Sequence, residues 1–273
     1  MGEQYAVGMW SQALEEQMAW RVRDTKSCER IPALDATVPS WSWASVKGPV
    51  VPQHRLAIRS YKVTDHTGAD VKFIVKEETR QGDKEPLLER RILALRAHVN
   101  VGRLITVQEE ECHLQVSNET SSDVIRMDAY PDTPLATTGI DPEQCAFIIL
   151  AASATSNNTR GPQSTRPSSP KISQTYSGMG LLLLTHSAWF ASQEKLHHEY
   201  KSALAGVKPS QEQEWRLDAF GKLMLQQSER VVQMKGNIAS VYRRVGALQF
   251  RDLDEQAFNF LTNDQQQKDI WLE

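Results

Sequence analysis

The residue types able to do chemistry are few in this chain, and their spacing scatters them. His197-His198-Glu199 is the densest titratable cluster. Adjacent residues on a helix point about 100° apart, so the two imidazoles do not share a face as i and i+4 metal ligands would. Glu109-Glu110-Glu111 puts three carboxylates in a row, but consecutive side chains diverge, and acid–base work needs groups that converge on a pocket. Gly178-Met179-Gly180 leads into Leu181-Leu182-Leu183-Leu184, which reads as a strand, whereas a glycine turn that cradles phosphate leads into a helix. The P-loop, dinucleotide, nucleophile-elbow and zincin motifs do not occur. The expectation is no catalytic residue, no cofactor and no metal site.

One stretch stands apart, Pro39-Ser40-Trp41-Ser42-Trp43-Ala44-Ser45, closed by Gly48-Pro49. On a strand, i and i+2 share a face, so Trp41 and Trp43 are expected to project together. Each indole brings about 150–250 Å² of buriable surface. The pair therefore reads as a core anchor. The alternative is a small-molecule-binding or enzymatic β-rich domain with Trp41 and Trp43 lining a pocket, but no converging charges flank them.

These elements must sit in a chain of 273 residues with a net charge of −3. That balance lacks the basic surplus of a nucleic-acid binder. No apolar run approaches the roughly 18 residues of a membrane span. Cys28, Cys112 and Cys145 are odd in number and far apart, which fits reduced thiols in the cytoplasm. Partners are expected to be other proteins, with no nucleic acid and no membrane.

Trp10, Leu14, Met18 and Val22 recur every four residues, and this period predicts an N-terminal helix within residues 1–23, with Glu15, Glu16 and Gln17 off its apolar stripe. Short apolar runs separated by turn residues predict strands over 39–151 and 178–186, the pattern of a barrel or sandwich. Residues 152–177 are almost wholly Ser, Thr, Asn, Gln, Pro, Gly and basic residues, and are expected as a disordered loop. A helical insertion is expected over 187–235, and a last strand over 238–251 with a bulge at Gly246. Arg90-Arg91, Arg96, Arg103 and Arg243-Arg244 read as solvated strand edges. The fold class expected is α+β: a β-rich barrel- or sandwich-like domain with an N-terminal helix and a helical insertion before the last strand.

Three segments resemble a known family. Tyr5-Ala6-Val7-Gly8-Met9-Trp10, running on to Trp20-Arg21-Val22, is similar to a "Y-x-A-G-L-W … L-L-W-R" segment. Pro39 to Ser45 with Gly48-Pro49 matches "A-P-S-W-S-W-A-S-x-D-G-P", with Lys47 where Asp is usual and Val38 where a small residue is. Val241-Tyr242-Arg243-Arg244-Val245-Gly246 is similar to "Y-x-R-V-G". All three belong to the region that follows the core of fungal heterokaryon-incompatibility (HET) domain proteins. The resemblance implies an accessory or interaction region in fungal non-self recognition, in a truncated or stand-alone form. The family's core, associated with cell death after hyphal fusion, has no counterpart here. The resemblance marks Trp10, Trp20, Pro39, Ser40, Trp41, Ser42, Trp43, Ala44, Gly48, Pro49, Tyr242, Arg244 and Gly246 as structural signature residues.

Overall fold

Alternating apolar residues on several strands define an inside. Cys112, Leu114 and Val116 alternate on one strand, Ile125, Met127 and Ala129 on the next, and Cys145, Phe147 and Ile149 on a third, and all nine are buried in one cluster. Alternation of this kind puts one set of side chains on one face of a pleated sheet. In the computed structural model, that face closes on itself. The structure describes residues 5–6, 9–10, 12–30, 38–71, 93–108, 111–117, 124–135, 139–158, 172–205, 210–211, 213–214, 217–218, 221 and 241–273.

The described strands are, in chain order, β1 (Tyr5–Ala6), β2 (Met9–Trp10), β3 (Arg21–Val22), β4 (Glu29–Arg30), β5 (Val46–Lys47), β6 (Val50–Val51), β7 (Tyr61–Lys62), β8 (Leu93–Ala97), β9 (Asn100–Gln108), β10 (Glu111–Ser117), β11 (Val124–Pro131), β12 (Cys145–Asn158), β13 (Ile172–Thr185), β14 (Val241–Asp254) and β15 (Lys268–Leu272). Six of them run in the order β11-β10-β9-β12-β13-β14, and β14 pairs back onto β11 from Asp128↔Gln249 to Pro131↔Gly246. Every pairing in this ring is antiparallel. The result is a closed six-stranded barrel, which removes the exposed edges that open sheets leave. The fold class is the mixed, β-rich one expected from the sequence. β15 adds in parallel to the start of β14, and β8 adds antiparallel to β15.

Two helices that close onto the barrel are each started by a side chain. Thr185 Oγ1 accepts from Ala188 N at 3.2 Å and opens α2 (His186–Ala203); Asp254 Oδ1 accepts from Ala257 N at 2.7 Å and opens α3 (Glu255–Leu261). These caps satisfy backbone donors that a helix start leaves free. Trp189 of α2 and Phe258 of α3 enter the barrel cluster, where Phe258 stacks on Tyr176 at 4.0 Å. Residues 211, 213, 214, 217, 218 and 221 are also helical. No helix among the described residues is long and apolar enough to cross a membrane.

A second cluster lies on the outside of the same sheet. Ile148 and Leu150 of β12, with Leu181 and Leu183 of β13, pack against Met9, Leu14, Met18, Trp20, Trp41, Leu95 and Ile270. Both faces of β12 and β13 are thus covered, which is why Cys145 to Ala152 is apolar at every position.

Several expectations are corrected. The N-terminal helix of 1–23 is only α1 (Leu14–Met18), preceded by the β1–β2 hairpin and followed by β3. The four-residue spacing is real, but Ala13 takes a left-handed φ of 55°, which ends any helix upstream of it. Gln17 then uses its amide as a strand would, accepting from Trp10 N at 2.9 Å and donating to Trp10 O at 2.9 Å. Glu15 and Glu16 are buried rather than off the packed face, because Arg59 bridges Glu15, and Leu56 N donates to Glu16 Oε1 at 3.1 Å.

The expected loop 152–177 is shorter, since β12 and β13 pair from Asn158↔Ile172 inward. A ladder satisfies the backbone whatever the side chains are, and β-branched Thr suits it; residues 159–171 lie outside the described residues. The final strand is β15, not the 238–251 segment, because Lys268–Leu272 fills the gap between β14 and β8. Of the run from Leu56 to Val63, only Tyr61–Lys62 is strand. Of the span 39–151 expected to hold strands, residues 72–92 lie outside the described residues, Arg90 and Arg91 among them, as do residues 222–235 of the helical insertion.

Candidate functional site

Signature residues from three segments meet at one buried cation. Arg244 sits on β14 with 0% exposure, although an arginine pair on a strand was expected at a solvated edge. Its backbone N donates to Ser40 Oγ at 2.9 Å, its Nε to Met18 O at 3.1 Å, and its Nη1 to Asp132 Oδ2 at 2.6 Å; Nη2 donates to Trp20 O. The guanidinium carbon lies 3.4 Å from the centre of the Trp20 ring, a cation–π contact made strong by the absence of water. The Trp20 indole N–H donates in turn to Trp41 O at 2.9 Å. All three segments that carry the family resemblance therefore meet here: the first through Trp20, the second through Ser40 and Trp41, the third through Arg244.

Local sequence explains how each segment presents its part. Pro39 to Ser45 is not a strand but a turn tied by its own serines. Ser42 N donates to Pro39 O at 3.1 Å, Ala44 N to Ser42 Oγ at 3.1 Å, and Ser45 N to Ser42 O at 3.0 Å. Ser and Thr side chains compete in this way with ladder bonds. The turn separates the two indoles: Trp41 is 0% exposed and Trp43 is 44% exposed. One is buried and the other exposed because the segment is not a strand, which corrects the expected i, i+2 alignment.

Gly48 has φ 137°, and a Cβ there would meet Cys28 Sγ and the Ser27 carbonyl; only glycine holds that turn without strain. Pro49 O accepts from Arg23 N at 3.0 Å. Pro39 is buried and Ala44 is half-buried. Tyr242 is buried in the outer cluster and accepts from Glu273 N at 2.9 Å through its carbonyl. Gly246, opposite Pro131 and Leu182, has no room for a side chain against the Tyr130 carbonyl. Trp10 is the outlier, 48% exposed on β2 and outside this node. Neither Trp10 nor Trp20 lies on the leading helix, which was the expected place for both.

Electrostatically, the node is a buried Arg–Asp–Arg group. Arg30 Nη2 reaches the same Asp132 Oδ2 at 2.6 Å and also donates to Arg244 O. Burial pushes the Arg244 guanidinium down to about 10, against the pull of Asp132 that favours its charge; it stays a cation at neutral pH. Asp132 is wholly buried, and its Oδ1 has no hydrogen-bond partner among the described residues. A second, smaller group lies beside it: Glu273 accepts from Arg243 Nη1 at 3.1 Å, faces His186 Nδ1 at 2.9 Å, and takes Ser40 N at 3.1 Å on its carbonyl. Arg243 lies 4.1 Å from the centre of the Trp189 ring. With its donors committed to carbonyls and a carboxylate, Arg244 acts as a clamp between segments.

Asp132, Arg30, Arg59 and Glu273 had no signal in the sequence, since each follows no motif and pairs across at least 30 residues. The tempting titratable clusters do not assemble. His198 and Glu199 are exposed on α2 and His197 is half-buried, while Glu111 is exposed and residues 109–110 lie outside the described ones. Among the described residues, no group of three or more His, Cys, Asp or Glu side chains is placed to hold a metal. Burial pushes the Cys145 thiol up to about 12 and raises that of Cys112, so neither is a ready nucleophile. No protein-family model, curated protein or solved structure matches the chain.

Proposed function

We propose that the chain is the accessory region of a heterokaryon-incompatibility-type protein, working in the cytoplasm through contacts with other proteins in fungal non-self recognition, without catalysis of its own. The supporting observation is the Arg244 node. Motif segments that resemble one family, separated by as many as 226 residues, are joined to one another through side chains of the motifs themselves. A chance resemblance in three places would not require the matching residues to touch. The reading rests on family analogy, which argues for a context rather than a reaction.

The test is a segment exchange in a hyphal-fusion assay. Replacing the corresponding region of a HET-type protein by this chain should change which strains are rejected, while the chain expressed alone should leave hyphae alive. Unchanged rejection in the exchange, or death caused by the chain alone, would overturn the proposal.

A further inference from the structure

Away from the Arg244 node, β13 and β14 open a cleft of 320 Å³ under the segment that follows β6. Its size falls at the lower end of small-molecule sites, about 300–1,000 Å³. The walls are built by an irregularity in the ladder. Tyr176 pairs with Leu253 and Gly178 with Phe250, so Arg251 and Asp252 together stand opposite the single residue Ser177. Bulges of this kind re-aim side chains and occur next to functional sites. In a regular strand, Arg251 and Asp252 would face opposite sides; here both line the cleft.

Two further features mark it. Asp252 takes a left-handed φ of 54°, held by a hydrogen bond from its N to Ser177 Oγ at 3.1 Å; such backbone strain in a non-glycine residue persists where the surroundings enforce it. Gln53 brings a buried amide Nε2 that has no hydrogen-bond partner among the described residues. A buried donor left unmade costs stability and calls for an explanation.

We propose that this cleft binds a zwitterionic small molecule, an α-amino acid with an apolar side chain. The lining supplies one complement to each part. Gln53 Nε2 and the Arg251 guanidinium are donors for a carboxylate, Asp252 is the acceptor for an ammonium, and Leu56 and Met179 are the apolar wall.

Calorimetric titration with L-leucine, 3-methylbutylamine and 4-methylpentanoate separates the parts, because the last two each lack one charged group of the first. Leucine should bind at millimolar concentration or below, at least about tenfold more tightly than either fragment, which is about 1.4 kcal/mol. Asp252→Asn should erase that preference over the acid. Asp252→Gly should erase it too while keeping or raising the melting temperature of the free protein, because glycine accepts the left-handed backbone. Absence of leucine binding at millimolar concentration, equal binding of all three compounds, or unaltered leucine binding in both variants would overturn the proposal. The measurement is independent of the fusion assay, so failure of one reading leaves the other standing.

Discussion

Leu114, Met127 and Phe147 meet inside the barrel because each lies on the inner face of a strand whose register is fixed along its length. Trp20 and Trp41 meet outside it on a different basis, since neither belongs to the sheet and the strands around them are two residues long. The inner core is specified by a repeated pattern, so it has many equivalent supports. The outer layer is joined by single polar contacts from Arg244, Ser40, Gln17 and Arg59. Redundancy against singularity is the difference between the two regions, and it should govern how each fails.

The largest effect should come from Asp132→Ala. It removes the counter-charge of the wholly buried Arg244 and should destabilise the protein by about 3–5 kcal/mol, as for other broken buried pairs. Hydrogen exchange should show amides of β3 to β6 opening while those of β10 and β11 stay protected. Uniform loss of protection across both regions would show that the two cores are one cooperative unit.

The two tryptophans sharpen the same contrast. Trp41→Ala should cost about 3–5 kcal/mol, as other buried aromatic truncations do. Trp43→Ala, at an exposed site, should stay within about 0.5 kcal/mol in denaturant unfolding. Equal costs for the two would mean that the turn, rather than the burial of Trp41, holds the layer.

The smallest effect concerns pH. His98, beside the end of α3, has its imidazole lowered from its ordinary range chiefly by burial, and its Nδ1 is unpartnered among the described residues. A histidine that resists protonation when folded binds more protons when unfolded, so stability falls as the pH drops below about 6.5 toward the lowered folded value. His98→Asn should flatten that part of the stability-against-pH curve measured by urea unfolding. An unchanged slope would assign the acid sensitivity elsewhere.

These contrasts also explain what the sequence made legible. Parts of the barrel strands were legible because burial on one face writes a period of two, as in Cys112-x-Leu114-x-Val116, and burial on both faces writes an unbroken run, as in Cys145 to Ala152, whereas the polar ends of β12 and β13 carried neither pattern. The outer layer wrote a misleading period. Trp10, Leu14, Met18 and Val22 are spaced like a helix, yet Ala13 and the Gln17 amide redirect the backbone around them. For the Arg244 node, the motif residues were legible as a set, but not their meeting point. Asp132 and Arg30 could not be found at all, because a buried ion pair is made by the fold and leaves no local spacing behind. The cleft was equally silent: its shape comes from one bulge between Tyr176 and Gly178, and nothing in Asp252 itself signals a left-handed backbone.

The tie between Ser40 and Glu273 spans 233 residues, and this has a consequence for the order in which the protein is made. A contact of such separation must wait for loop closure across nearly the whole chain. During synthesis, Trp20 and Trp41 leave the ribosome long before Arg244, β15 and Glu273 exist to receive them. The layer around Trp20 and Trp41 therefore waits for β14 and β15 to be made, with two large indoles available to chaperones meanwhile. Nascent chains stalled before residue 241 should be cut by protease within their first fifty or so residues, and release of the segment through residue 273 should abolish that cleavage. Slow codons late in the message would lengthen the exposure of the N-terminal layer rather than of the segment they encode.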